Sequence, residues 1–158
     1  MLRIVHDSHP TPAEAYCSAW ARMNEGVDFT IRENEIHYLK TIALSMEDDL
    51  ASLILLKKLK LASRRSQQPP GAVGMNSCVE FRFGAGPREI RQLVHPSVCR
   101  SGYALSIGTR LGAGLIGLRA GDLLLWPDED GCPRELQIIA VPGRAHENDG
   151  GDPPPLAG

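Results

Sequence analysis

The chain has 158 residues, 42% apolar and 23% charged, with 17 Lys plus Arg against 19 Asp plus Glu and a formal net charge of -2. One ordinary domain, or a small domain with an appendage, fits that length, and the apolar share excludes wholesale disorder. The near-neutral balance argues against a dedicated basic coat for nucleic acid, and apolar runs of about four residues fall far short of the roughly 20 a membrane-spanning helix needs.

The first residues, Met1 to Pro10, contain no apolar stretch of the kind a secretory signal carries, so a cytoplasmic protein is expected. Residues 1–27 read as a loosely ordered arm. Within it Thr11 can cap a short helix that starts at Pro12 and runs through Ala13 to Met23, with Gly26 as its stop. Met23 also offers an alternative start, which would make the arm dispensable.

Residues 28–66 read as an antiparallel helical hairpin. Thr30 with Glu33 fits a capping box, Asn34 is an alternative start, and Ile36, Leu39, Ile42 and Ala43 fall on one stripe. Ser45 and Met46 mark the break, and Ser45 with Asp48 fits a second capping box. Glu47, Asp48 and Asp49 then occupy the first turn of the second helix, while Lys57, Lys58, Lys60, Arg64 and Arg65 crowd its end, the charge order that the helix dipole favours. Leu50, Leu53, Ile54 and Leu61 form one face, with Leu55, Leu59 and Ala62 roughly opposite. A helix apolar on two sides needs two packing partners, and the first helix and the following domain are the candidates.

Residues 67–74 (QQPPGAVG) read as a linker, because Pro69 and Pro70 cannot continue a helix. Residues 75–141 alternate with period two: Val79, Phe81 and Phe83, then Ile90, Gln92 and Val94, then Tyr103, Leu105 and Ile107. Leu123 to Trp126 and Leu136 to Val141 flank the turn Asp128-Glu129-Asp130-Gly131, a hairpin signal. Leu111, Leu115 and Leu118 lie at helical spacing between the third strand and that hairpin. Gly112, Gly114 and Gly117 read as small residues that let this short helix approach the sheet. The Gly-, Asp- and Pro-rich tail, residues 142–158, is expected to be disordered. The expected fold class is α+β: a short helical hairpin, then a small, mostly antiparallel sheet crossed by one short helix.

Chemistry is sparse. Cys17, Cys78, Cys99 and Cys132 form no CxxC pair and no zinc-finger spacing with histidine, so they read as free thiols; no metal and no cofactor is expected. GTRLGAGLIG has glycines but neither a P-loop nor a dinucleotide fingerprint. No serine or cysteine stands in a supporting pattern with His6, His9, His37, His95 or His146, so no catalytic residue is assigned. Glu47, Asp48 and Asp49 can serve in two ways: as oxygen ligands for Mg²⁺ at the hairpin tip, or as caps and charge complement of a helix N-terminus.

The stretch VGMNSCVEFRFG, then REIRQLVHP, then ALSIGTRLGAGLIGLRAGDLLLWP, then LQIIAV resembles the C-terminal domain of Gre-type transcription factors, most of all the short-hairpin Rnk type. Met75 to Val79 and Gly112 to Asp122 are the most specific parts, and the resemblance extends from about Asp28 to Val141. It implies an FKBP-like domain behind a helical hairpin, docked on RNA polymerase at the β′ rim of the secondary channel. Thr109, Arg110, Leu111, Gly114 and Leu115 match the docking segment, and Arg110 stands where Gre factors usually carry a proline. Long-hairpin members bring acidic tip residues to the polymerase active site and stimulate cleavage of backtracked RNA; the Rnk type binds polymerase without that activity. Thr30 to Leu44 spans roughly 22 Å as a helix, and a long Gre hairpin is about twice that. The expectation is a monomeric, non-enzymatic regulator with polymerase as partner, nucleic acid met only through it, and no membrane. A cleavage factor working through Glu47, Asp48 and Asp49 is the alternative. Prolyl isomerase activity is not expected, since fold does not carry function and aromatic residues are few.

Overall fold

The computed structural model describes residues 10–67, 69–98 and 102–144. In chain order these form α1 (Pro12–Met23), β1 (Thr30–Arg32), α2 (Glu33–Ser45), α3 (Asp49–Leu61) and β2 (Ser63–Arg65). Then come β3 (Ser77–Phe83), β4 (Arg88–Val94), a 3₁₀ turn (Pro96–Val98), β5 (Ala104–Ser106), α4 (Arg110–Leu115), β6 (Leu123–Pro127) and β7 (Pro133–Arg144). The protein is α+β, with its longer helices N-terminal and a mixed sheet following. No helix among the described residues is long and apolar enough to cross a membrane.

The sheet order is β5-β4-β3-β7-β6. Neighbours are antiparallel except β4 and β5, which run parallel from Gln92↔Ala104 to Val94↔Ser106. The period-two pattern chooses the faces: Val79 and Phe81 on β3, and Leu136 and Ile138 on β7, are all buried. The hairpin between β6 and β7 closes through Asp128, whose Oδ1 accepts the backbone N–H groups of Asp130 and Cys132, both at 2.9 Å.

The helix of the N-terminal arm forms as its residues predict. Thr11 and Glu14 make a reciprocal capping box with Pro12 at the first position. The expectation that this arm is loosely held is corrected from Pro12 onward; residues 1–9 lie outside the described residues. Trp20 is 1% exposed, stacks on Phe29 at 5.7 Å and meets Trp126 edge-on at 5.9 Å. Its Nε1 donates to the carbonyl of Leu125 at 2.8 Å. The Asn24 amide donates to that same oxygen at 3.1 Å and accepts the Leu125 N–H at 2.8 Å. Since β6 is an edge strand, the end of α1 satisfies backbone groups that the sheet leaves unpaired.

Both capping boxes expected in the hairpin are displaced. Thr30 belongs to β1, which pairs in parallel with β2, so α2 starts at Glu33 with Arg32 as an N-cap that makes no side-chain bond. Asp48, not Ser45, caps α3, accepting the Ala51 N–H at 3.1 Å, while Ser45 ends α2 by bonding the carbonyl of Ile42. α3 packs on α1, α2 and α4, which accounts for its two apolar sides. Leu61, in its last turn, is nevertheless 52% exposed, and Lys58 is buried instead.

The Pro/Gly segment 67–74 is a free linker only in part. Ala72 and Val73 are buried, Val73 donates its N–H to Leu118 at 2.7 Å, and Ala72 bridges Arg119. Residues 142–144 continue β7; the rest of the expected disordered tail, and Cys99, lie outside the described residues.

Candidate functional site

The residues singled out by sequence meet at one place, where the N-terminal turn of α4 faces the α2–α3 tip. Thr109 caps α4: its Oγ1 accepts the Gly112 N–H at 3.1 Å and donates to the carbonyl of Ser106 at 2.7 Å. The helix lies on the sheet at a distance only glycine permits. A Cβ at Gly112 would sit 2.1 Å from the Ser106 carbonyl oxygen, and one at Gly114 would sit 2.8 Å from the Trp126 ring. Trp126 Nε1 completes the seam by donating to the carbonyl of Arg110 at 2.9 Å.

Arg110 spans the gap to the tip. Its Nε donates to Asp48 Oδ2 at 2.7 Å and its Nη2 to Asp48 Oδ1 at 3.0 Å, the two-pronged geometry of guanidinium on carboxylate. Its Nη1 donates to the carbonyl of Asp128 in the β6–β7 turn. Side-chain exposures of 23% for Arg110 and 30% for Asp48 put the pair between surface and core. The Arg110 hydrogen bond is the main cause that holds the Asp48 carboxyl below its ordinary value. The Ala51 N–H adds to that, and partial burial opposes it. The same bond raises the Arg110 guanidinium. Tyr16 on α1 lies close by; burial pushes its phenol up, and Asp128 pushes it further.

Beneath this clasp lies a feature that the sequence reading assigned to helix-dipole charge. Lys58 is 0% exposed. Its Nζ donates to the carbonyls of Ala113 at 3.0 Å, Gly114 at 2.9 Å and Ile116 at 2.5 Å, and it lies over the rings of Phe29 and Trp126. These are carbonyls that the end of α4 leaves without helical partners, and the ammonium has one N–H for each. Burial drives its pKa well down, while three acceptors and two ring faces favour the charged form. A signal for it existed: Lys58 stands four residues after Ile54 and three after Leu55, on the buried stripe of α3.

The structure brings the predicted docking residues together but exposes them unequally. Thr109 is exposed. Leu111 is half-buried and, with Phe83, Leu105 and Trp126, lines an open cavity of about 280 Å³. Gly114 and Leu115 are buried against Trp126 and the core, so neither presents a side chain to a partner. Arg110 is not a free surface charge, because Asp48 and Asp128 hold its guanidinium. At the tip Glu47 and Asp49 are exposed, whereas Asp48 is spent on Arg110 and Ala51. Among the described residues no three His, Cys, Asp or Glu side chains gather in a metal-binding cluster.

The chain is 36% identical over 77 residues to the regulator of nucleoside diphosphate kinase of Escherichia coli K12, a match covering 48% of this chain and 57% of that protein. The Shigella flexneri protein of the same name matches with the same figures. Among solved structures, a prokaryotic transcription elongation factor GreA/GreB from Nitrosomonas europaea superposes with a TM-score of 0.55 at 28% identity, covering 72% of this chain and 97% of that one. Over the matched stretches the chain is similar to Gre/Rnk-type proteins. No protein-family model matches it, and its match spans little more than half the length of the curated relatives. Within this Gre/Rnk-like frame, the clasp joins the short hairpin's tip to the helix of the C-terminal domain. Of the acidic tip, Asp48 is therefore a built part of the fold, while Glu47 and Asp49 stay exposed.

Proposed function

We propose that this protein is a non-enzymatic transcription regulator that binds RNA polymerase near the rim of its secondary channel and competes there with Gre-type factors. The observation that carries the reading is the short, closed hairpin. α2 and α3 are 13 residues each, or about 20 Å of helix, and Asp48 at their junction is tied back to Arg110. A tip so placed suits occupancy of a docking site without delivery of carboxylates to a distant metal. Similarity to a transcription elongation factor and to the nucleoside diphosphate kinase regulators supports the partner class. The reading includes an FKBP-like C-terminal domain, a monomer acting in the cytoplasm, and contact with nucleic acid only through polymerase. Thr109 and Leu111 are its direct contacts; Arg110, Gly114 and Leu115 shape the segment from beneath.

The cleavage-factor alternative rests on one observation, the exposure of Glu47 and Asp49 at the tip. Co-purification with core RNA polymerase, with and without a competing Gre factor, tests the proposal together with a cleavage assay on backtracked RNA. Wild type is expected to bind, to be displaced by the competitor and to stimulate no cleavage. Thr109→Asp keeps a capping acceptor and adds charge but gives up the hydroxyl's bond to the Ser106 carbonyl, so it should weaken binding far more than its small drop in melting temperature accounts for. Cleavage by wild type that Glu47→Ala with Asp49→Ala abolishes would establish the alternative.

A further inference from the structure

We propose that the cleft between β2 and the loop after α4 binds linked phosphate groups, such as a nucleoside di- or triphosphate carries, through Arg65 and Arg119. Parallel pairing of β1 with β2 sets Arg32 opposite Arg65 and Ile31 opposite Arg64. Among the described residues the ion pairs involve Arg88, Arg110 and Arg134, and none reaches Arg32, Arg64, Arg65 or Arg119. Carboxylates close to the cleft are engaged otherwise: Asp122 accepts the Arg119 backbone N–H at 2.8 Å, and Asp28 accepts the Ser63 hydroxyl at 3.2 Å.

The cleft holds about 460 Å³ and is lined by Arg65, Ser66, Gln67, Pro69, Pro70 and Arg119, with no acidic and no aromatic residue among the described residues. Arg119 is fixed for the purpose. Its backbone bridges Ala72, its Nη2 donates to Thr30 Oγ1 at 2.8 Å, and its Nε is buried without a partner. A guanidinium held in place offers its remaining N–H groups at little entropic cost, and its planar fork matches phosphate oxygens. Two such groups on one polar cleft suit a ligand with two adjacent anionic centres. Arg32 turns to another cavity, which Asn34, Glu35 and Tyr38 also line, so the cleft's own positive charge is that of Arg65 and Arg119. The described residues of the cleft offer no aromatic platform for stacked bases, so recognition rests on the phosphates.

Titration calorimetry of the full chain with inorganic pyrophosphate at low ionic strength tests this, with orthophosphate and a single-stranded RNA oligonucleotide as further arms. Saturable pyrophosphate binding, tighter than orthophosphate and weakened by added salt, is expected. Arg65→Gln, an exposed position, should weaken it by about tenfold with the melting temperature unchanged. Arg119→Gln should weaken it at least as much, and its melting curve reports the loss of the Thr30 contact separately. No pyrophosphate binding, or equal binding by wild type and the double variant, would overturn the proposal. Orthophosphate binding as tightly, or RNA binding that pyrophosphate fails to displace, would overturn it as well. Polymerase binding is a separate readout, so this proposal and the regulator reading can fail independently.

Discussion

Asp48 performs two tasks that its neighbours Glu47 and Asp49 do not share: it caps α3 and it receives Arg110. Because its folded pKa is depressed, the stability it supplies is complete above the ordinary carboxylate range and is lost as pH falls through the depressed value. Asp48→Asn retains a good cap and removes the charge. It should cost about 1 kcal/mol at neutral pH, somewhat above an ordinary surface pair because the contact is two-pronged and only partly exposed. Melting curves of wild type and variant across acidic pH should converge as wild-type Asp48 is protonated. A constant difference down to the lowest pH would show that the charge of the pair contributes nothing. Lys58 illustrates the opposite legibility. Its helical phase placed it on the buried stripe, but burial of a charge becomes affordable only when three carbonyls converge on it, and those belong to a helix more than 50 residues away.

At the scale of elements, α1 is the least obvious contributor and among the most consequential. Its cap was legible at Thr11 and Glu14, whereas its destination was not. An edge strand's unpaired groups attract a partner only once the sheet exists, and Asn24 reaches Leu125 across 101 positions of chain. Removing the helix up to Met23 uncovers Phe29 and Trp126, takes Trp20 from the Leu125 carbonyl and leaves Asn24 without the helix that positions it. A chain starting at Met23 should therefore be poorly folded or prone to associate through β6, measurable by thermal melting and light scattering. The milder Asn24→Ala should cost about 2 kcal/mol, since it strips the Leu125 N–H of its acceptor within a partly buried seam. If the truncated chain melts as wild type does, α1 is an ornament after all.

For the whole molecule, hairpin and sheet are expected to unfold as one cooperative body despite the proline pair between them. Trp20 and Asn24 hold β6, Lys58 holds α4, and Asp48 holds Arg110, so three separate seams cross the division. A protease should find the exposed residues 64–67 before it finds 72–75, which are buried. The nicked halves are expected to co-elute on gel filtration at neutral pH and to separate only in denaturant. Separation under native conditions would mean that the seams are too weak to act together.

Local pattern determined the period-two strands around Val79 and Phe81, the turn at Asp128, the α+β class and the glycines that let α4 lie on the sheet, because each depends on residues close in sequence. The resemblance to Gre-type factors was legible for the same reason, in contiguous strings from Met75 to Val79 and from Gly112 to Asp122. Tertiary structure alone decided which acid of the tip is engaged, which lysine is buried, and that Arg110 is a clasp rather than a free charge. Charged and polar side chains take their roles from partners that only the folded chain brings within hydrogen-bonding distance. Asp48 and Arg110 are 62 positions apart in sequence and 2.7 Å apart in space. No spacing rule connects them; the shared packing of α3 and α4, with Lys58 between, does.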